Sequence, residues 1–236
     1  MVAGCPSPGV RAQGCGSGTL RDVIIVLGRP ALAAPTVAAA AGASPPIAAP
    51  AQGPDDTSGL HGLAARVAVA AAAIGAAVQL VGSVGDDREG DEVIIRLGRA
   101  GVGHAALLRD PAGRTPVAGQ EREPAPRLDA QDVELGLRYL ADARVLILAE
   151  PLETDAQPVA LEAARYHGAE VIALVPSGSV PDPDVAGAGT VLEAPEDLEA
   201  FVDVVARYAV GLEEGKPAAE AFLEATASTG WERAEA

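Results

Sequence analysis

Three stretches of this 236-residue chain concentrate the residue types that chemistry requires. The first is Val81-Gly82-Ser83-Val84-Gly85-Asp86-Asp87 with Gly90 and Asp91 after it, glycines and carboxylates gathered where a strand gives way to a turn and a helix. The second is His61-Gly62-Leu63-Ala64-Ala65-Arg66, where Arg66 is either a cation able to recruit an anion or a solvent-facing charge at a helix start. The third is Pro195-Glu196-Asp197-Leu198-Glu199-Ala200, an acidic first turn that complements a helix dipole. Asp203 follows, and the approach to it, Glu199-Ala200-Phe201-Val202, has no glycine to shape a phosphate nest.

Other chemistries have no support in the sequence. His61, His104 and His167 are far apart, and Cys5 and Cys15 stand in a Gly/Pro/Ser-rich stretch with no histidine nearby, a spacing that fits no zinc site. They read as two free thiols. No G-x-x-x-x-G-K-[ST] or G-x-G-x-x-G follows a strand, and no serine occupies a nucleophile elbow. The formal charge of −16, from 33 acidic and 17 basic residues, repels nucleic acid and anionic membranes, so neither is an expected partner. No signal-like segment opens the chain, and the apolar run Val67–Leu80 is too short to span a bilayer, so the expected location is the cytoplasm.

The elements that must position these residues alternate. Val23–Leu27 is a continuous β-branched run closed by Gly28 and reads as a buried central strand. A long Ala/Val helix is expected from Ser58, ending at Gly75, then a strand over Ala77–Gly82, a helix over Asp91–Ala100 stopped by Gly101, and a strand over Val102–Leu108. Helix Ala130–Leu140, strand Arg144–Ala149, helix Asp155–Tyr166, strand Glu170–Val175, strand Thr190–Leu192 and helices over 195–212 and 217–227 complete the series. Gly187-Ala188-Gly189-Thr190 reads as loop. Aromatic residues make up 3% of the chain and hydrophobic ones 49%, so the core must be built from Ala, Val, Leu and Ile. Strands alternating with helices imply a mostly parallel sheet covered on both faces, with its ligand crevice at the carboxyl ends of the strands. Residues 1–20 read as a disordered lead-in, and 21–236 as one α/β domain. Within it, the Ala/Pro-rich stretch 31–57, with Pro35, Pro45, Pro46 and Pro50, reads as an irregular loop or arm.

The ordered set Gly82-x-Val84-Gly85-x-Asp87-x-x-Gly90, with Gly101-Val102 and Thr115 behind it, resembles the first signature region of the ribokinase-like (PfkB) carbohydrate kinases. The likeness extends through Asp142–Leu148, the loop Glu150-Pro151-Leu152-Glu153, and Gly168–Ile172 with Pro176, covering about Asp22 to Ala200. It implies a ribokinase-like three-layer sandwich with a mostly parallel central sheet, here truncated, with 31–57 in place of the family's lid. In relatives that region often pairs subunits, so a homodimer is an expectation as well.

The resemblance implies a kinase that transfers phosphate from ATP, with Mg²⁺, to a sugar hydroxymethyl group. It places substrate-binding roles on Gly62, Arg66, Gly85 and Asp86, a metal role on Glu199, and offers Asp203 as the candidate base. The sequence also departs from the family's pattern. Ala33 stands where a sugar-binding Asp is expected, Leu63 and Arg66 replace a Lys and an Asn, and Glu196 replaces a second Asn. The late Gly-Ala-Gly-Asp that supplies anion hole and base is absent. Gly187-Ala188-Gly189-Thr190 precedes the acidic segment and ends in Thr, and there is no room between Glu199 and Asp203 for strands of an adenine pocket. The expectation is therefore a non-catalytic homologue that binds a sugar-like small molecule or a protein. The two alternatives are an active sugar or nucleoside kinase with a reorganised site, using ATP and Mg²⁺, and a structural subunit.

Overall fold

In the strand β1 (Val23–Leu27), successive side chains go to opposite faces: Ile24 and Val26 enter one core, Ile25 and Leu27 the other, all at most 1% exposed. The computed structural model describes residues 23–34, 59–138, 142–196 and 198–229. The lead-in with its two cysteines, and nearly all of the Ala/Pro stretch, fall outside them.

The alternation repeats in β4 (Val78–Gly85), β6 (Ala143–Leu148) and β7 (Glu170–Pro176), so the sheet is apolar on both faces and needs helices on both. With β5 (Leu107–Asp110) and β8 (Thr190–Ala194) these strands form a six-stranded sheet in the order β5-β4-β1-β6-β7-β8, every pairing parallel. One face carries α1 (Leu63–Ala73), α2 (Arg88–Arg99), α6 (Leu198–Glu213) and α7 (Ala218–Thr229). The other carries α3 (Ala130–Arg138), α4 (Ala156–His167) and the short α5 (Pro183–Ala188). The result is the expected three-layer α/β sandwich.

Small residues set the layer spacing where aromatic ones are scarce. A Cβ on Gly136 of α3 would come within 2.5 Å of Val81 Cγ1 on β4, and one on Gly211 of α6 within 2.8 Å of Ala221 Cβ on α7. Among the described residues Tyr208 is the largest fully buried side chain; its hydroxyl meets Thr190 Oγ1 at 2.8 Å and its ring meets Phe222 edge-on at 5.6 Å.

Several boundaries differ from the sequence reading. The first two residues of the Ala/Pro stretch form a strand, β2 (Ala31–Leu32), paired antiparallel with β3 (Leu60–His61). The first helix therefore starts at Leu63, because His61 is held in that pair and Gly62, at φ 80°, is not helical. The second begins at Arg88, three residues before Asp91, because Asp87 caps it by accepting from Gly90 N. Val102 is buried in the turn after α2 without belonging to a strand; its apolarity records burial, and β5 begins only at Leu107. Residues 183–188 form α5, with Asp182 as its cap, so Gly187 and Ala188, read as loop, are helical. No described helix is long and apolar enough to cross a membrane.

Candidate functional site

The strand order decides where a site can form. From β1 the chain steps outward through β4 to β5, then returns to place β6 on the other side of β1 and steps outward again. The connections after β1 and β6 leave toward opposite faces of the sheet, which opens a crevice at their carboxyl ends. Three segments meet there. A Cβ on Gly28 would lie 3.1 Å from Ala64 Cβ in the first turn of α1, 3.4 Å from Ala149 Cβ and 3.5 Å from Glu150 Cγ. Gly62 sits alongside, its would-be Cβ 3.6 Å from the Arg29 carbonyl.

Across the crevice lies an ion pair. Glu150 Oε1 accepts from both the backbone N–H and Nε of Arg29, each at 2.8 Å, with both side chains 29% exposed. Neither residue stood out as a site residue in the sequence. The signal that would have found them is topological: each follows one of the two strands flanking the point where the order reverses. Arg66 lies half-buried in the first turn of α1, whose N-terminus has neither an acidic residue in its first turn nor a side-chain cap. Ala33 lies beyond β2, its N–H donating to the Gly59 carbonyl.

A small lid borders this crevice. Leu32 N donates to Pro116 O at 3.0 Å and Ala118 N to Leu32 O at 2.8 Å, so residues 116–118 join the β2–β3 pair through a single parallel bridge at Val117.

Gly85 and Asp86 belong to the neighbouring β4–β5 edge, and the glycine-rich signature is used there for packing. A Cβ on Gly82 would fall 2.0 Å from the Gly28 carbonyl, one on Gly85 2.7 Å from both Gly113 O and Thr115 N, and one on Gly90 2.3 Å from Gly85 O. Asp86 is exposed and pairs with Arg109 at 3.4 Å; Arg109 also bonds Asp91. The carboxylate at the centre is Asp87. Its Oδ1 accepts from Gly90 N and Thr115 Oγ1, and its Oδ2 from Thr115 N and, at 3.5 Å, Arg122. Burial alone would raise this carboxyl, but the bonds from Thr115, Gly90 and Arg122 outweigh it and hold it below the usual Asp range.

The third stretch lies apart from these. Glu199 and Asp203 are exposed residues of α6, second and sixth in the helix. The amide of Asp203 is already past the first turn, where free N–H groups point outward. Pro195 and Glu196 follow β8 ahead of α6, with no intervening strand among the described residues. Proline lacks an N–H, and two carboxylates, Glu196 and Glu199, flank the helix start. These residues do not fit the phosphates of ATP with Mg²⁺. Among the described residues no group of three or more His, Cys, Asp or Glu could hold a metal ion. A separate cleft of about 850 Å³ between α4, the start of β7 and α5 opens at the other end of the strands, with Glu162, Arg165, Glu170 and Asp184 in its lining.

The structure thus brings Gly62 together with Gly28, Arg29 and Glu150, with Arg66 on the same first turn. It places Gly85 and Asp86 at the adjoining edge, and Glu199 and Asp203 on α6.

No family model matches the sequence, and no curated protein does. Solved structures do match. An E. coli protein designated ribokinase II, in complex with ATP and Mg²⁺, matches with a TM-score of 0.57 at 16% identity, over 88% of this chain and 91% of that one. A fructokinase from Xylella fastidiosa gives 0.55 at 17%, over 88% and 90%. A carbohydrate kinase from Agrobacterium tumefaciens gives 0.54 at 16%, over 88% and 89%. At such identities the likeness speaks for the fold, and the fold of this chain is the ribokinase-like α/β sandwich.

Proposed function

We propose that this protein is a ribokinase-type homologue that binds a sugar-like small molecule at the β1/β6 crevice and does not transfer phosphate to it. The observation that carries the reading is the Arg29–Glu150 pair at the point where the strand order reverses. It offers a fixed donor and acceptor to a hydroxylated ligand beside the first turn of α1. The acidic, glycine-free approach to α6 supports the second half of the proposal, since a phosphoryl transfer needs an anion hole and a base.

The test is calorimetric titration with Mg²⁺·ATP and with a sugar panel, followed by an assay for phosphorylated sugar. The expected outcome is no saturable nucleotide heat at millimolar concentration, and a sugar heat that is lost in Glu150→Gln. ATP-dependent sugar phosphorylation would overturn the reading in favour of an active kinase with a reorganised site. A homodimer through the stretch 35–57 is a further part of the proposal. Size-exclusion mass measurement on the chain lacking that stretch tests it, and an unchanged oligomer would rule it out.

A further inference from the structure

We infer that Asp87 is a positioning residue for the lid: it grips both ends of the segment 115–122 and so holds residues 116–118 against β2 at the mouth of the crevice. Only the consequence for ligands rests on the crevice being the binding site.

Capping α2 requires a single acceptor for Gly90 N, and Asn would serve. Asp87 does more. At the near end of the segment it binds Thr115 twice, through Oγ1 at 2.6 Å and N at 3.0 Å; at the far end it receives Arg122 at 3.5 Å. Between these anchors, Pro116 and Ala118 make the two backbone bonds to Leu32, and Gln120 N closes a turn onto Val117 O at 3.0 Å. Thr115 is wholly buried, and its Oγ1 also accepts from Gly85 N at 2.9 Å, so the near anchor is continuous with the end of β4. One carboxylate thereby joins the strand end, the helix cap and the lid.

The charged neighbours are few. Glu89 on α2 shares Arg122 at 3.0 Å; Asp86 and Asp91 are occupied with Arg109 from β5; Asp110, also on β5, accepts from the Ala112 and Arg127 amides. With its folded value held below the unfolded one, Asp87 grips the segment throughout the neutral range and lets go as pH falls through that lowered value.

The closing experiment is hydrogen exchange on the full chain, read at the Leu32 and Ala118 amides and compared with those of β1 and β6. Asp87→Asn keeps an acceptor for Gly90 N, but it turns an NH₂ group toward Thr115 N and Arg122, donor against donor. The expected result is a rise of about tenfold or more in exchange at Leu32 and Ala118, with β1 and β6 unchanged. In the wild type, protection at the same two amides should fall in acid, and in the variant it should be low and flat with pH. Equal lid protection in both proteins overturns the inference, and so does equal loosening of β1 and β6. Should Asp87→Asn fail to fold, Arg122→Met removes the far anchor alone; exchange at Ala118 then rises, and an unchanged rate overturns the proposal. No ligand enters these readouts, so they fail or succeed independently of the sugar titration.

Discussion

Replacing Thr115 by Val is the sharpest probe of how the glycine-rich signature is held together. Valine has nearly the shape of threonine, so no cavity forms at this fully buried position and the whole cost is polar. Two interactions vanish. The Gly85 N–H loses its acceptor at 2.9 Å, and water cannot replace it, because the space beside Gly85 is filled by Gly113 O and Thr115 N, each 2.7 Å from where a Cβ would stand. An unsatisfied buried N–H costs about 1–3 kcal/mol. Asp87 loses its 2.6 Å bond, worth about 1.5–3 kcal/mol to a charged acceptor, but keeps Gly90 N, Thr115 N and Arg122. Because the two losses share one hydroxyl and the carboxylate is still solvated by three donors, the sum is less than additive, about 3 kcal/mol. At a urea m-value of about 2 kcal/mol/M, the midpoint should move down by about 1.5 M, read by far-UV circular dichroism. Thr115→Ser keeps the hydroxyl and removes one methyl, a loss of about 0.8 kcal/mol. A valine variant within about 0.5 kcal/mol of wild type, or a serine variant as unstable as valine, would refute the reasoning.

Two further predictions concern packing and pH. Gly136→Ala drives a Cβ to 2.5 Å from the rigid Val81 Cγ1 and should cost about 1–3 kcal/mol, whereas Gly187→Ala, with nothing within 4 Å, should be neutral or stabilising by up to about 1 kcal/mol. Urea midpoints that rank the two the other way would refute the close approach of α3 to β4. For pH, Asp87, Glu89 (held down chiefly by its bond to Arg122) and Asp110 (held down chiefly by the Arg127 amide) all lie below their ordinary values of 3.8, 4.5 and 3.8. Groups lowered on folding stabilise above their unfolded pKa, so that contribution is full above about pH 5 and lost as pH falls below about 4. Relief of the −16 charge acts in the opposite sense on acidification, so the diagnostic is the difference between wild type and Asp87→Asn. That difference should shrink in acid, and one that widens would contradict the assignment.

The fold was legible because its determinants are local and redundant. Val23–Leu27 can only be a strand buried on both faces; Gly168, at φ 66°, and Gly101, at φ 76°, end helices where left-handed residues are needed; and the alternation of elements dictates a parallel sheet. What escaped the sequence is what tertiary contact decides. β2 and β3 are two residues each, separated by 27 positions, and no local pattern announces a pair that short. Asp182 caps a helix whose six residues include a Gly and a Pro, too poor a helix former to be read from propensity. Arg29 and Glu150 are 121 positions apart, and only the strand order makes them neighbours. The N-terminal cysteines and the stretch 35–57 lie outside the described residues.

The signature that suggested substrate contacts at Gly85 and Asp86 has a second meaning, and the two meanings differ in what they demand of the residues. A ligand-contacting glycine needs open space in front of it; Gly82, Gly85 and Gly90 instead have backbone oxygens 2.0, 2.7 and 2.3 Å from where a side chain would begin. A ligand-contacting carboxylate keeps an oxygen for the ligand; Asp87 spends both on the protein, and Asp86 faces Arg109. The pattern therefore encodes a joint: it closes β4 against β1, starts α2, and seats Thr115 ahead of the lid. Such a joint serves the packing of this strand order and lid and carries no information on phosphate transfer. The proposal of a binder that does not transfer phosphate rests on other residues, Pro195-Glu196 ahead of α6 and Arg29 bound to Glu150.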